Sequence, residues 1–287
     1  MSKKRRIDEV LDEMPSELLV VLKRIGTYQP HVRLPPDWYQ WQIAERHMIL
    51  KHAKIASGAN ILEVGCGPQA ISTIPLAFLV GEKGRVVALD RGRWGDFWKL
   101  VGKGGVKSRV IPLQDDARKL PFPYSCFDLT VCIHGIRSFE SRKACVEAIE
   151  EMLRVSKERV FIAESSPITR NKAQKAHLMM YNLRRSVFLA LNHPEAGDIP
   201  YFSQNDLVRI VKEAGATKVD AKLLEVNMPH HLAWFPPEML DKIKDRARRE
   251  NLRREYVKCE KRLDRYGEQH PPVITIDAWK KDQPENR

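Results

Sequence analysis

The stretch ANILEVGCGPQAIS, residues 59–72, decides the fold of this chain. A short apolar run ends at the acid Glu63, and two glycines, Gly65 and Gly67, then flank Cys66. Short apolar runs are typical of buried strands, and glycine lets the backbone approach a ligand that a Cβ atom would hold away. The stretch therefore predicts a strand followed by a tight turn against a nucleotide-like ligand.

Short apolar runs rich in Val, Ile and Leu alternate with helical patterns after this turn. The alternation predicts an α/β fold: a Rossmann-like, mostly parallel, seven-stranded sheet with helices on both faces and a ligand at the carboxyl ends of the strands. The predicted strands are 60–64, 85–90, 108–114, 127–133, 158–165, 217–226 and 272–280. The predicted helices are 69–81, 93–102, 140–156 and 203–216, and Ser203 with Asp206 forms a cap for the last of them.

Helical segments flank and interrupt this core. Residues 1–57 are expected to form a helical N-terminal extension, and residues 58–287 the α/β domain. Within the extension, helices are predicted over 9–25, with Ser16 as a cap after Pro15, and over 38–56. Two insertions break the alternation, 166–202 and 227–271, and the second contains a long charged helix over 237–265. We expect both insertions to overhang the ligand edge as a substrate lid.

Composition limits the class of protein. The 287 residues carry a formal net charge of +12, from 49 Lys and Arg against 37 Asp and Glu. Five scattered cysteines without a C-x-x-C pair predict free thiols in a reducing, cytoplasmic setting and no zinc site. No apolar run approaches the ~20 residues that span a bilayer. The positive charge fits a highly charged soluble surface, because acids are mixed in almost everywhere, or a polyanionic partner such as RNA.

The glycine turn alone leaves the identity of the nucleotide open. It fits the dinucleotide fingerprint G-x-G-x-x-A, and Asp90 after the next strand could accept hydrogen bonds from ribose hydroxyls of several cofactors. The segment LQDDARKLPFPYSCFDLTVC, residues 113–132, separates the candidates. Together with EVGCGP it resembles the class I S-adenosylmethionine-dependent methyltransferases over about residues 58–165, and more loosely to 280. The third glycine of many family members is replaced here by Gln69.

This resemblance implies S-adenosylmethionine as cofactor. Residues 65–67 would approach its methionine part, and Asp90 would bind its ribose. Asp116 would accept from the adenine amino group, with the Ala117 N–H facing a ring nitrogen; a register slip of one residue would give this role to Asp115. The cofactor-binding residues implied in all are Glu63, Gly65, Cys66, Gly67, Asp90, Arg91, Asp115, Asp116, Ala117 and Ile133.

The reaction itself needs little dedicated chemistry. The sulfonium methyl is already electrophilic, so in-line displacement requires alignment in a dry pocket, and a base only if the acceptor loses a proton. After the fourth strand, CIHGIRSF (132–139) lacks the Asn/Asp-Pro-Pro-Tyr/Phe type of sequence and is similar to small-molecule methyltransferases, including the quinone-biosynthesis C-methyltransferase group. His134 is either a base or a wall of the pocket. Arg137 binds an anionic acceptor or forms a surface ion pair.

Other aromatic and histidine residues have two interpretations each. Trp38, Tyr39 and Trp41 cap the cofactor or anchor the N-terminal helix. Aromatic and sulfur-containing residues of the insertions line the lid or pack as ordinary core; these are Met179, Met180, Tyr181, Tyr201, Phe202, His230, His231, Trp234 and Phe235. His230 and His231 are not expected to bind a metal, because no carboxylate or cysteine lies nearby at ligand spacing.

The leading hypothesis is a methyltransferase that acts on a small or lipophilic acceptor. The alternative is an RNA or protein methyltransferase that uses the basic helix 237–265, and steep loss of RNA affinity with salt would identify the RNA case. A non-enzymatic adapter is a third class, and a pure protein that fails to bind S-adenosylmethionine would support it. A nicotinamide oxidoreductase is a fourth, but the chain lacks a clear second nucleotide-binding half.

Overall fold

The computed structural model describes residues 7–30, 34–92, 94–193, 201–226 and 237–280. Within them, seven strands form one sheet in the order β3-β2-β1-β4-β5-β7-β6. The strands are β1 (Asn60–Val64), β2 (Arg85–Asp90), β3 (Val110–Gln114), β4 (Leu129–Ile133), β5 (Arg159–Ser165), β6 (Lys218–Leu224) and β7 (Val273–Trp279). Only β7 runs antiparallel to its two neighbours. The predicted mostly parallel, seven-stranded α/β fold is confirmed.

Nine α-helices surround the sheet within the described ranges. They are α1 (Ile7–Leu11), α2 (Ser16–Ile25), α3 (Trp38–Lys51), α4 (Thr73–Leu79), α5 (Phe97–Gly104), α6 (Arg142–Val155), α7 (Lys172–Ala190), α8 (Gln204–Glu213) and α9 (Arg246–Tyr266). Short 3-10 turns at Lys107–Arg109, Ile136–Ser138 and Pro237–Lys242 complete the secondary structure there. Two large apolar clusters, one on each face of the sheet, form the core.

The central strands follow directly from their sequences. All five residues of β4 are buried, as expected for a parallel strand that is covered on both faces. The predicted bounds of β1 and β2 match the structure. β4 begins two residues later than predicted, because Phe127 makes only an isolated bridge to Ser156 and the Asp128 carboxylate accepts from the Asn60 N–H.

The N-terminal prediction of one helix over 9–25 is wrong. The chain forms α1 and α2 instead, since a residue that precedes proline is disfavoured in helical geometry and Pro15 separates the two helices. Ser16 is the first residue of α2 and makes no capping hydrogen bond; its hydroxyl donates to Glu17. α3 ends at Lys51, five residues before the predicted end. The Ser203–Asp206 capping box of α8 is confirmed.

The aromatic residues of α3 are anchors. Trp38, Tyr39 and Trp41 are all buried in the cluster that also contains residues of the sheet and of α4. The Tyr39 hydroxyl donates to the Gln69 carbonyl at 2.8 Å, and the Trp41 indole N–H donates to Asp37. The Tyr39 contact fixes the helical extension to the loop that follows β1, and the Trp41 contact lies within the extension itself.

The insertions supply a small separate core between α7 and α9. Residues of the second insertion, among them Leu240, Leu252 and Cys259, pack on Met180 and Val187 of α7. The predicted continuous helix over 237–265 is wrong. A 3-10 turn ends at Lys242, and α9 begins after Asp245, whose side chain accepts from the Arg248 N–H as a cap. His230, His231, Trp234 and Phe235 lie outside the described residues.

Candidate active site

Hydrogen bonds attach the glycine turn to the carboxyl end of β2. Gly65 and Gly67 have φ values of +75° and +66°, a conformation that side chains with a Cβ rarely adopt. The N–H groups of Gly65 and Cys66 both donate to the Leu89 carbonyl. The Gly67 N–H donates to Asp90 Oδ2 at 2.9 Å. A Cβ at Gly67 would meet nothing within 4 Å, so the turn leaves open space on that side.

Glu63, near the end of β1, connects the strand before this turn to the helix after it. Its buried carboxylate accepts hydrogen bonds from the hydroxyls of Ser72 and Thr73, where α4 begins. Burial raises the pKa of Glu63 to about 7, against the two hydroxyl donors, which lower it. The residue therefore joins β1 to α4, and the next residue, Val64, lines the cavity beside the turn.

A cavity opens beside the carboxyl ends of β1, β2 and β4. Its lining is Val64, Gly65, Leu89, Asp90, Arg91, Ala117, Cys132, Gly135, Ser138 and Phe139. Gly65, Asp90, Arg91 and Ala117 belong to the residues implied by the sequence. Gly135 was not predicted as a site residue. A Cβ on Gly135 would lie 2.6 Å from Cys132 Sγ, and a Cβ on Gly65 would lie 3.6 Å from the Cα of Gly135. Two adjacent strand ends thus meet through glycines, a relationship that the spacing of single glycines in sequence does not reveal.

The paired acids after β3, Asp115 and Asp116, directly precede Ala117 but are not themselves among the residues that line the cavity. Asp115 accepts from the Asp116 N–H, and the Asp116 carboxylate accepts from the Arg118 guanidinium, with Nε 3.0 Å from each oxygen. These hydrogen bonds lower the pKa of Asp116 to about 2. Arg118 also contacts Glu140. The Arg118 side chain that holds Asp116 was not expected from the sequence.

The end of β4 places Ile133 and His134 differently. Ile133 is buried in the core, and the His134 N–H donates to the Ala163 carbonyl on β5. His134 has a φ of +55°, which is strained for a residue with a Cβ. Its ring is buried, and burial holds the pKa of His134 well below its usual value. The imidazole is therefore neutral at physiological pH.

Arg137 points inward. Its Nη1 lies 3.2 Å from Oε2 of the buried acid Glu164, and its guanidinium lies 5.6 Å from the centre of the Tyr201 ring. Tyr201 in turn stacks on Tyr181, with ring centres 4.0 Å apart. The arginine is thus part of an interior polar site.

A buried cluster that the sequence did not indicate completes this region. Glu45 of α3 places Oε1 3.3 Å from His134 Nε2 and 3.2 Å from His270 Nε2. Its other oxygen pairs with Arg46. His177 of α7 lies behind, with Nδ1 2.8 Å from Glu268. The ligating atoms of Glu45, His134 and His270 lie within 4.8 Å of one another, so this set could hold a metal ion. The three residues are widely separated in sequence, and no local pattern links them.

Comparisons with known proteins agree with this architecture. Residues 39–188 match the ubiE/COQ5 methyltransferase family. The demethylmenaquinone methyltransferase of Bacillus cereus is 26% identical over 237 residues, which cover 77% of this chain and 91% of that protein. Among solved structures, a cyclopropane-fatty-acyl-phospholipid synthase-like protein from Lactobacillus casei aligns with a TM-score of 0.67 at 19% identity, covering 96% of this chain and 98% of that one. A SAM-dependent methyltransferase from Aquifex aeolicus aligns with a TM-score of 0.50 at 16% identity, covering 97% and 100%.

Proposed function

The chain belongs to the ubiE/COQ5 methyltransferase family, and we propose that it methylates a small or lipophilic acceptor by in-line displacement. It is an S-adenosylmethionine-dependent methyltransferase with a Rossmann-like fold. The name of the Bacillus cereus relative supports an aromatic quinone precursor as the first acceptor class to test. None of the helices in the described ranges combines the length and apolarity needed to cross a bilayer.

The site fits S-adenosylmethionine on its own geometry. A Cβ at Gly67 would meet nothing within 4 Å, so there is room for a ligand beside the turn. Asp90, a carboxylate at the tip of β2, lines the cavity together with small residues, among them Gly65, Ala117 and Gly135. A cavity with one convergent acid and close backbone approach suits a ribose and an extended amino-acid chain.

The cofactor-binding roles follow as proposals. The backbone of residues 65–67 binds the methionine part, and Asp90 accepts from the ribose hydroxyls with Arg91 beside it. Asp116, or Asp115, accepts from the adenine amino group while Ala117 covers the ring. Glu63 and Ile133 act indirectly: Glu63 stabilises the turn, and Ile133 stabilises the end of β4.

S-adenosylmethionine supplies an electrophilic methyl group when bound. The residues of the chain have to align an acceptor with that methyl group and exclude water. We place the acceptor beyond β4 and β5, where His134 and Arg137 lie. The expected lid over it is formed by the insertions 166–202 and 227–271, of which the structure describes residues 166–193, 201–202 and 237–271.

The observation that carries the small-molecule proposal is the inward orientation of this polar region. The Arg137 side chain is 24% exposed but pairs with Glu164, which is 1% exposed, and the His134 side chain is 5% exposed. Such groups can select a compact anionic or phenolic molecule that enters the interior. An RNA backbone is recognised by cations that stay accessible at the surface.

The proposal is tested by transfer of labelled methyl groups from S-adenosylmethionine to two acceptors. One is a short-chain demethylated naphthoquinol, kept reduced, and the other is bulk RNA. We expect product from the naphthoquinol with little change between low and high salt. Methylation of RNA that falls steeply as salt rises would favour the alternative function that uses the basic region 237–265. Failure to bind S-adenosylmethionine by calorimetry would contradict both.

A further inference from the structure

We propose that Glu45, His134 and His270 bind a divalent transition-metal ion, with zinc as the expected ion. The three residues come from α3, from the loop after β4 and from the loop before β7, so the fold assembles the site from distant parts of the chain. The side chains of Glu45, His134 and His270 are at most 5% exposed. Two imidazole nitrogens and one carboxylate oxygen form a common ligand set for zinc, which leaves a fourth position open in catalytic sites.

The distances suit a tetrahedral ion. Metal–ligand bonds of about 2.0–2.2 Å place tetrahedral ligand atoms about 3.3–3.6 Å apart. Glu45 Oε1 lies 3.3 Å from His134 Nε2 and 3.2 Å from His270 Nε2. The three ligating atoms all lie within 4.8 Å of one another. Small rotations of the two rings would bring all three into coordination.

The contact between Glu45 and His270 also suits a cation. The Nδ1 of His270 lies 2.5 Å from the Pro271 carbonyl, a contact that requires a hydrogen on Nδ1. In the neutral ring, Nε2 then presents its lone pair toward Glu45 Oε1. Oε1 and Nε2 are then two acceptor atoms 3.2 Å apart, with the Ser165 hydroxyl 3.3 Å from Nε2, and a cation between them would bind the lone pairs of both.

The surroundings supply the outer contacts that metal-binding residues usually have. The Pro271 carbonyl fixes the ring of His270. Ser165 Oγ lies 3.3 Å from His134 Nδ1 and can accept its proton in a hydrogen bond. Arg46 pairs with the second oxygen of Glu45, whereas Oε1 faces His134 and His270. The ligands are therefore oriented by groups that do not coordinate.

The local charge indicates what would fill the fourth position. Glu45 and Glu164 balance Arg46 and Arg137, so a bound zinc ion leaves an excess of positive charge in a buried place. An anionic oxygen ligand offsets this excess. If the proposed function holds, that ligand is a hydroxyl of the acceptor, which gives its proton to water and binds the ion as a phenolate or enolate oxygen. His134 would then act as a ligand, with no role as a base.

The test begins with the metal content of the full chain. The protein is purified without a metal-binding tag or chelators, and metals are measured by mass spectrometry. We expect about one zinc ion per chain. X-ray absorption at the zinc edge of this wild-type protein should show nitrogen and oxygen neighbours with imidazole scattering. Sulfur neighbours would assign the ion to cysteine and overturn the proposal, as would wild-type protein that neither contains nor takes up zinc.

Matched variants then locate the site. Glu45→Gln and His270→Gln should weaken zinc binding at least about tenfold in a competition titration, the scale at which even outer contacts of a metal site act. His47→Gln is the control: His47 is also a buried histidine, it lies on α3, and neither of its ring nitrogens has a hydrogen-bond partner. Equal zinc affinity in all four proteins would overturn the proposal.

S-adenosylmethionine titrations on the same samples separate this inference from the proposed function. Wild-type protein that binds S-adenosylmethionine but no zinc keeps the methyltransferase proposal and removes the metal site. Wild-type protein that binds zinc but no S-adenosylmethionine keeps the metal site and removes the methyltransferase proposal. Variants that still bind S-adenosylmethionine are folded, so their loss of zinc is a local effect. If both variants unfold, the X-ray absorption spectrum of the wild-type protein decides.

Discussion

The Asp90 carboxylate accepts the N–H of Gly67 through Oδ2 at 2.9 Å. Its second oxygen accepts the Gly92 N–H at 2.7 Å. One side chain therefore sets the shape of the glycine turn and of the loop after β2, and its remaining lone pairs stay available to a ligand. The acid therefore shapes the turn, and under the proposed function it also binds the cofactor there.

Asp90→Ala should weaken S-adenosylmethionine binding by at least about 1.5 kcal/mol, or about tenfold, because a charge-assisted contact and the support of the turn are both lost. Isothermal titration measures the effect. Asp128→Ala is the control, since Asp128 also accepts a backbone N–H, that of Asn60, but at the opposite end of the sheet. If Asp90→Ala bound S-adenosylmethionine with wild-type affinity, another residue would have to bind the ribose.

The buried carboxyl of Glu63 should make stability depend on pH. Its pKa is about 7 in the folded chain against an ordinary value of 4.5, so the folded state binds more protons between these values. The associated stability is present below pH 4.5 and is lost as the pH rises through 7. Relative to Glu63→Gln, the wild-type protein should lose about 3 kcal/mol of unfolding free energy over this window.

Urea unfolding at several pH values between 4.5 and 8 checks this prediction. Glu82→Gln serves as the control, because the Glu82 side chain is 92% exposed and its removal should leave the wild-type pH profile in place. Parallel profiles for wild type and Glu63→Gln would show that the carboxyl ionises normally in the fold.

His134→Ala should leave S-adenosylmethionine affinity within about twofold, since the ring faces Glu45 and Ser165 on the acceptor side. Methyl transfer should fall about 100-fold, because the ring acts on the acceptor either as a base or, in the metal-site proposal, through the ion that it binds. Steady-state rates with saturating cofactor measure this, with the exposed His52→Ala as control. Undiminished transfer would make His134 a simple wall of the pocket.

The backbone of His134 predicts a separate effect on stability. At a φ of +55°, any residue with a Cβ is strained, and glycine is not. His134→Gly should therefore be more stable than His134→Ala by about 1 kcal/mol in chemical unfolding. Because both variants lose the same ring contacts, their difference isolates the backbone. A more stable alanine variant would show that the loop relaxes to a different conformation.

Local features of the fold were predictable, and long-range ones were not. The bounds of β1 and β2 could be predicted because each contains a short apolar run flanked by polar or glycine residues, a pattern that strongly favours a buried strand. Asp90 and Ala117 followed from a family resemblance, and both line the cavity. The break before Asp245 was missed because charges on either side fit a helix equally well. The contact of Glu45 with His134 and His270 depends on tertiary packing, which periodicity does not report.

The antiparallel strand β7 is synthesised after both of its neighbours, β5 and β6, so the sheet cannot be completed until β7 has been made. Until the ribosome has made residues 273–279, β5 has an unpaired edge and His270 has no fixed position beside Glu45. A nascent chain can thus form the glycine turn early, whereas the contact of Glu45 with His270, on the proposed acceptor side, forms only when β7 inserts between β5 and β6. Binding of cofactor and competence for transfer should accordingly emerge at different moments in the life of each molecule.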